Sequence, residues 1–384
     1  MDFDFTWILL GLPIAFTLGW LASRADFRQL RIENRQAPKA YFRGLNFLLN
    51  EQQDQAIDAF IEAVQNDPDT SELHFALGNL FRRRGEYERA VRVHEHLLQR
   101  GDLPQLDRDR AQHALALDYL KAGLLDRAET ALRKLEGTSF EEEARLALLS
   151  IYERSRDWQH ATDIASKLNS AGHASFTSRQ AHYLCEQANA LVATGDASQA
   201  LSLLELACNT AATSARPLLE LAKLQLQRGQ SQAAFDTLVR LEKAAPQCIP
   251  LAAGLLVTIA QNDGQYSQAT ALLKKHYQRK PSVDVMDAIA RLEKDPVASR
   301  QSYIQHLETE TSLVAAARWV AGETLSNPAE IHNHQLVQRA LDQATKPLMR
   351  YRCAACGFEA TQHFWHCPGC QAWDSYPARR IEEL

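Results

Sequence analysis

The sequence contains little proline or glycine and no excess of positive charge. Only 13 of the 384 residues are proline and 16 are glycine, while 46% are hydrophobic. This composition excludes a disordered chain and allows a large buried core in more than one structural unit. The formal net charge is -5. Without a basic field, binding to nucleic acid through counterion release has little support, and we expect no nucleic-acid partner.

The sequence also lacks the motifs of several enzyme classes. It has no P-loop, no G-x-G-x-x-G after a strand, no G-x-S-x-G and no H-E-x-x-H. The pairs His94/His96 and His332/His334 are each spaced two residues apart, so their side chains point to different helix faces. We therefore interpret these histidines as ordinary surface or core residues and predict that the protein is not an enzyme.

Cysteine is scarce, and its number is odd. Seven cysteines argue against a disulfide framework. Cys185, Cys208 and Cys248 lie one at a time in segments rich in alanine and leucine, where a buried cysteine acts as a small hydrophobic residue. The other four cysteines lie together near the C-terminus.

One hydrophobic segment near the N-terminus is long enough to cross a membrane. Residues 5–23 carry no charge, and as a helix they would span about 28 Å, close to the ~30 Å hydrocarbon core. Asp2 and Asp4 precede this segment and several arginines follow it, so the positive-inside rule places the rest of the chain in the cytoplasm. The acidic start favours an uncleaved anchor over a secretory signal, with a buried amphipathic helix as the alternative. We predict a transmembrane anchor over residues 1–23 and a basic juxtamembrane segment over residues 24–39.

The middle of the chain repeats with a period close to 34 residues. After Gly44, an aromatic residue follows at +3 and an alanine at +12, and Gly78 opens the same pattern about 34 residues later. This spacing is typical of tetratricopeptide repeats, in which the small residue lets two antiparallel helices cross closely. The alanines at +12 define seven helix pairs: Ala56, Ala90, Ala128, Ala161, Ala200, Ala234 and Ala269. Glycines at +7 predict turns with positive φ: Gly85, Gly123, Gly195, Gly229 and Gly264.

Stacking of these pairs predicts an all-α solenoid over residues 40–346. No single repeat buries its own apolar face, so neighbouring repeats must share one core. The pattern fades after Pro281, where we expect one or two degenerate repeats. The concave groove is the expected peptide-binding surface, although solenoids also bind through convex faces and edges, so the fold alone does not identify a partner.

Four cysteines near the C-terminus form two C-x2-C pairs separated by ten residues. They are Cys353, Cys356, Cys367 and Cys370 in "YRCAACGFEATQHFWHCPGCQAW". Two such pairs bring four thiolates into a tetrahedron that suits Zn²⁺ or a single iron, and four sulfurs close the ligand shell. We predict one metal ion, Zn or Fe, bound by these four cysteines in a small rubredoxin-like or zinc-ribbon domain over residues 347–384.

The cysteine-rich domain contains more aromatic residues than so small a unit needs. Phe364, Trp365 and Trp373 are among them. We expect some of them to pack against the last helices of the solenoid, so that the metal clamps its C-terminal end. His363 and His366 are spare ligand candidates beside a shell that four sulfurs already complete. A thioredoxin-type redox pair is the rival interpretation, but the chain has one C-x-x-C too many and no βαβ context.

The combination of these features resembles the lipopolysaccharide assembly protein B family of Gram-negative bacteria. The resemblance rests on the N-terminal segment, the array beginning "GLNFLLNEQQDQAIDAF" and the terminal "YRCAACGF" and "WHCPGCQAW". It implies a single-pass inner-membrane adaptor with a periplasmic N-terminus and a cytoplasmic bulk. It further implies that the adaptor promotes degradation of UDP-3-O-acyl-N-acetylglucosamine deacetylase, an enzyme of the lipid A pathway, by the membrane AAA+ metalloprotease. Other lipopolysaccharide-synthesis enzymes are implied as further partners, and the four cysteines are implied as metal ligands.

Two functions from other classes are also compatible with the sequence. A four-sulfur site accepts iron, which would make the protein a redox sensor or an electron carrier. A general peptide-binding co-chaperone would require a strongly basic carboxylate clamp in the groove, and we do not identify one in the repeats.

Overall fold

A computed structural model describes residues 16–18, 20, 39–67, 69–170, 176–325 and 327–384. Most of the predicted membrane anchor and almost all of the basic segment after it lie outside these residues. Within the described ranges, no helix combines the length and the apolar content needed to cross a bilayer.

The chain divides into two compact units, Met1–Ser155 and Arg156–Leu384. The first unit is built from antiparallel helix pairs. Its helices are α1 (39–49), α2 (Gln53–Asn66), α3 (Ser71–Arg84), α4 (Tyr87–Gln99), α5 (Gln105–Lys121), α6 (Leu125–Arg133) and α7 (Glu141–Ser155).

The second unit also consists of helix pairs and ends in a small ribbon. Its helices are α8 (Trp158–Ser170), α9 (Phe176–Thr194), α10 (Ala197–Thr210), α11 (Ala215–Gln227), α12 (Ser231–Ala244), α13 (Ile249–Asp263), α14 (Tyr266–Arg279), α15 (Val283–Leu292), α16 (Pro296–Thr309), α17 (Leu313–Ala321) and α18 (Pro328–Thr345). Strand β1 (Tyr351–Arg352) pairs antiparallel with β2 (Glu359–Ala360), and the chain finishes in a 3-10 turn, Ile381–Glu383. The fold is a mostly helical, tetratricopeptide-like solenoid with a C-terminal ribbon.

The repeat alanines form the centre of each helix pair. All seven alanines at +12 are fully buried, with 0% of their surface exposed. A larger side chain at this crossing would push the paired helices apart, because protein cores have no spare volume. The predicted role of these alanines is confirmed.

The turns inside the helix pairs adopt the predicted left-handed conformation. The five turn glycines have φ between 68° and 91°. In the two pairs without a glycine, Glu51 and Arg156 occupy the same position, each with a φ of 58°. The turn geometry is therefore common to all seven pairs, and it is adopted even where the side chain makes it unfavourable.

Alternate helices of the second unit form one layer. Helices α9, α11, α13 and α15 contact one another in succession although a helix separates each from the next in sequence. We call α9, α11, α13, α15 and α17 the inner helices of this unit. Helix pairing continues beyond Pro281, since α15 packs on α16 and α17 packs on both α16 and α18. The inner helices present the surface on which the C-terminal ribbon lies.

Candidate metal centre

The four cysteines of the ribbon converge on one point. Cys353 Sγ lies 3.8 Å from Cys370 Sγ, and Cys356 Sγ lies 3.7 Å from Cys367 Sγ. All four sulfur atoms lie within 4.8 Å of one another. A tetrahedral site with Zn–S bonds of about 2.3 Å requires sulfur atoms about 3.8 Å apart. The four cysteines therefore fit one metal ion, either Zn²⁺ or a single iron.

The backbone on each side of the site turns so that amide groups point at sulfur. The N–H groups of Ala355 and Cys356 donate to Cys353 Sγ. Those of Gly369 and Cys370 donate to Cys367 Sγ. Gly357, just after the first pair, has a φ of 77°. These donors stabilise thiolates and orient them toward a shared cation.

The four thiols do not ionise alike in the absence of a cation. Burial opposes ionisation of Cys353, but a hydrogen bond with the Ser375 hydroxyl and those from the amides of Cys356 and Ala355 lower its pKa to about 6. Although the Phe358 amide favours the thiolate of Cys356, partial loss of hydration and hydrogen bonds with the other three cysteines raise its pKa to about 12. Like charges so close together cannot all form unaided. A bound cation offsets this repulsion, so the donor set suits a divalent or trivalent metal ion.

The ribbon packs against the solenoid through aromatic rings. The Trp373 ring stacks on the ring of His182, with centroids 4.9 Å apart. Its centroid lies 5.8 Å from that of Tyr183 and 6.3 Å from that of Trp158, both in edge-on arrangements. Trp365 packs against the main hydrophobic cluster of the second unit. Trp373 meets α8 and α9 at the start of the unit, so for this residue the expectation of a contact with the last helices was wrong.

A polar contact accompanies this aromatic cluster. His182 Nε2 lies 2.9 Å from both carboxylate oxygens of Asp374, and Ser178 Oγ donates to Asp374 Oδ2 at 3.1 Å. Burial raises the pKa of Asp374, but the hydrogen bonds from His182 and Ser178 outweigh it and hold this pKa below its usual range. The ionised carboxylate thus serves as the acceptor for a fully buried histidine.

The C-terminal tail contacts the other end of the inner helices. Glu382 accepts hydrogen bonds from Ser312 Oγ at 2.7 Å and from the amides of Leu313 at 2.6 Å and Val314 at 3.0 Å, at the start of α17. Glu383 accepts from the first amide of α15, that of Val283. A carboxylate at a helix N-terminus satisfies free amides and interacts favourably with the helix dipole.

An ion pair strengthens this end of the contact. Arg380 Nε lies 2.8 Å from Asp284 Oδ2, and the guanidinium also lies over the Tyr351 ring, 4.1 Å from its centroid. The ribbon and tail therefore bind α9 at one end and α15 and α17 at the other. No local pattern in the sequence indicates these contacts, because the partners are separated by 68 to 196 residues.

The remaining histidine candidates lie outside the metal centre. His94 is buried, with Nδ1 2.5 Å from Asp118 Oδ2, and His334 Nε2 lies 2.8 Å from the Val320 carbonyl. Within the ribbon, His363 contacts the Tyr376 carbonyl and His366 the Gln371 carbonyl, rather than joining the sulfur atoms.

The three other cysteines are structural. Cys185, Cys208 and Cys248 are buried in the second unit. Burial raises the pKa of Cys185 to about 12 and the pKa values of the other two to about 11. Their predicted role as small hydrophobic residues is confirmed.

Comparison with known proteins finds relatives over nearly the whole chain and a family for the ribbon. Residues 351–376 match the family described as "Rubredoxin metal binding domain". Lipopolysaccharide assembly protein B of Escherichia coli (strain K12) is 30% identical, over 98% of this chain and 99% of the relative. The protein of the same name from Haemophilus influenzae is 29% identical, over 96% of both chains. A tetratricopeptide repeat protein from Parabacteroides merdae is similar over 67% of this chain and 99% of its own, with 13% identity and a TM-score of 0.34.

Proposed function

Because the chain belongs to the lipopolysaccharide assembly protein B family, we propose that it serves lipopolysaccharide assembly as an adaptor that performs no chemistry itself. The proposal rests on one observation: the ribbon that holds the four cysteines packs on the inner helices, and the four sulfurs complete a tetrahedral coordination shell. Such a site leaves no open coordination position for a substrate. The helices around it offer an extended surface for protein partners.

The adaptor would promote the degradation of a partner protein at the membrane. We propose that it brings the lipid A pathway deacetylase to the membrane AAA+ protease and so promotes its degradation, and that it gathers other lipopolysaccharide-synthesis enzymes. Anchoring by residues 1–23 in the bacterial inner membrane, with a periplasmic N-terminus and a cytoplasmic bulk, would confine it beside the protease. Confinement raises the effective concentration of the two proteins without a tight contact between them.

The metal centre would give the second unit its rigidity. When bound, the metal ion joins the two C-x2-C turns and contributes folding free energy to a ribbon that is too small to fold on its own core. The folded ribbon then presents Asp374 to α9, and the tail presents Glu382 to α17. Loss of the metal would release both ends together, which would leave the inner helices of this unit without their cover.

The half-life of the deacetylase in cells tests the adaptor role. The chain is depleted and then restored at matched levels as the full sequence, as residues 24–384, or as the full sequence with Cys353 and Cys370 replaced by serine. We expect depletion to lengthen the half-life, the full sequence to shorten it again, and both altered forms to fail. Restoration with Cys185→Ala is the control and should succeed. An unchanged half-life on depletion would reject the adaptor proposal.

A second candidate, an iron-based redox function, is favoured by one observation. Cys356 and Cys370 are exposed at the surface of the ribbon, whereas Cys353 and Cys367 are buried. Exposed ligands would shorten the path for an electron between an iron ion and a partner. Visible absorbance of natively expressed protein separates the candidates, because a ferric tetrathiolate is red and zinc is colourless. A colourless, zinc-loaded protein would reject the redox function.

A further inference from the structure

Three cations recur at one repeat position of the first unit. Arg83, Lys121 and Arg154 each lie five residues after the residue that opens the repeat motif, in the last turns of α3, α5 and α7. All three are exposed. We call these three residues the cationic row.

The cationic row is not used in the folding of the unit. The neighbours of Arg83 are paired: Arg82 Nη1 lies 2.9 Å from Asp118 Oδ1, and Arg84 contacts Asp54 and Glu86. Among the described residues, no ion pair, hydrogen bond or ring contact involves a member of the row. Three successive repeats therefore each present one uncompensated charge to solvent.

The row lies on one continuous face of the unit. Glu72 and Arg83 are 11 residues apart on α3, and Arg110 and Lys121 have the same spacing on α5, so each pair shares one side of its helix. Arg110 Nη1 pairs with Glu72 Oε1 at 2.5 Å. This ion pair places the side of α3 that carries Arg83 next to the side of α5 that carries Lys121. Helices α3 and α5 contact each other although α4 lies between them in sequence.

The same face continues onto α7. The His113 ring of α5 stacks on Phe140, directly before α7, with centroids 5.1 Å apart. His113 also interacts electrostatically with Glu143, in the first turn of α7. Helices α3, α5 and α7 are thus successive inner helices of the first unit, and the row crosses them near their C-terminal ends.

Stabilisation of the helix dipole does not account for the row. A cation in the last turn is favourable for any helix, so the same position should be basic throughout the array. In the second unit the equivalent residues of α9, α11 and α13 are Ala193, Gln227 and Asn262. There the inner helices are covered by the chain's own ribbon and tail. Among the positions compared, the cations occur only in the first unit.

We propose that the cationic row binds an extended acidic segment of a partner protein. Inner helices in contact lie about 8–10 Å apart. A peptide extended in the polyproline II conformation advances about 3.1 Å per residue with three residues per turn, so every third side chain lies on the same face. Successive carboxylates, one at every third residue, would therefore lie opposite successive cations of the row. This inference concerns the chemistry of the segment and does not depend on the deacetylase being the partner.

Fluorescence anisotropy tests the proposal with the full-length chain in nonionic detergent. The probe is a fluorescein-labelled peptide with glutamate at every third residue, and its comparison peptide has the same composition with the glutamates adjacent. We expect the spaced peptide to bind more tightly, and its affinity to fall as salt rises from about 50 to about 300 mM. The variant R83Q/K121Q/R154Q should bind it at least about tenfold more weakly.

The matched control is R92Q/R127Q/K134Q, which removes three exposed cations from α4, α6 and the residue after α6. It changes the net charge equally and should bind within about twofold of the unaltered chain. Equal weakening in both variants, or equal binding of both peptides, would show non-specific attraction and reject the proposal. Row-dependent binding to phosphatidylglycerol micelles without peptide binding would assign the row to an anionic lipid surface and also reject it.

A charge-reversal variant distinguishes loss of the binding surface from loss of folding. R83E/K121E/R154E should lose the glutamate peptide and gain a peptide with lysine at every third residue. Circular dichroism establishes that each variant retains its helices. Failure of a folded reversal variant to exchange the two peptides would contradict the row as the binding surface.

Discussion

Asp374 accepts a hydrogen bond from His182, although the two residues lie 192 positions apart in the chain. The donor nitrogen, Nε2, is 2.9 Å from the carboxylate, and the histidine side chain is completely buried. The other ring nitrogen, Nδ1, has no hydrogen-bond partner. Asp374 is thus the acceptor that compensates the burial of this imidazole, and the pair attaches the ribbon to α9.

Replacing Asp374 with alanine should destabilise the second unit. The substitution leaves a buried donor without a partner, which costs about 1–3 kcal/mol. Urea-induced unfolding measures the loss, and hydrogen exchange should show faster exchange of the ribbon amides. Asp163→Ala, at an exposed position of α8, is the control and should change the free energy of unfolding by less than about 0.5 kcal/mol. Equal effects of the two substitutions would contradict the docking role of Asp374.

Metal binding should require the ribbon cysteines and no others. We expect one metal ion per chain, measured by elemental analysis of the purified protein, and almost none after Cys353→Ser together with Cys370→Ser. The reason is that two thiolates cannot close the tetrahedral shell. Cys185→Ala removes a thiol that is buried elsewhere and should leave the metal content unchanged. Metal retained by the double variant would mean that the ligands lie elsewhere.

The helical array was predictable from sequence because its signals are local and periodic. Ala128 lies at +12 and Gly123 at +7 from Ala116, and each has the predicted burial or turn geometry. The cysteine site was predictable for a related reason. The C-x2-C spacing itself brings two sulfurs together, and two such turns complete a tetrahedron.

The docking of the ribbon was not predictable in the same way. Trp373 packs against Trp158 and Tyr183, and Glu382 caps α17. Neither contact follows from helical period or from turn chemistry. Each depends on where the stacked repeats carry distant helices, so a residue near the C-terminus gives no local indication of its partner. For Trp373 the expectation of a contact with the last helices was wrong, because neighbours in sequence need not be neighbours in space.

Gly78 should tolerate no side chain, whereas Gly254 should. A Cβ atom at Gly78 would lie 2.5 Å from Nε2 of the buried His94, while a Cβ at Gly254 would meet nothing within 4 Å. Overpacking a core of this kind costs about 1–3 kcal/mol, so Gly78→Ala should lower the free energy of unfolding. In the exposed helical position, Gly254→Ala should raise it by about 0.5–1 kcal/mol.

Thermal unfolding followed by circular dichroism compares the two glycine variants. Both variants replace glycine with alanine inside a helix, so helix propensity favours both substitutions. Only the contact with the buried His94 at position 78 distinguishes them. A stabilised Gly78→Ala protein would show that His94 moves aside at no cost, which would contradict the tight packing of α3 against α4.

His306 should make stability depend on pH below about 6.5. Burial lowers the pKa of His306, whose Nδ1 lies 2.6 Å from the Tyr277 hydroxyl and accepts its hydrogen bond. The unfolded chain, with an ordinary histidine pKa of about 6.5, therefore takes up a proton before the folded chain does. The stabilising contribution is fully present above pH 6.5 and is lost as the pH falls through the lower, folded-state pKa.

Urea unfolding of the unaltered chain and of His306→Gln, at about pH 7.5 and about pH 5.5, isolates this contribution. Burial also lowers the pKa values of four other histidines: His74, His113, His276 and His363. They are present in both proteins, so their effects cancel in the difference. Glutamine can still accept from Tyr277 but does not titrate, so the stability advantage of histidine should shrink toward the lower pH. A difference that stays constant with pH would mean that the His306 imidazole protonates equally easily in the folded and unfolded chain.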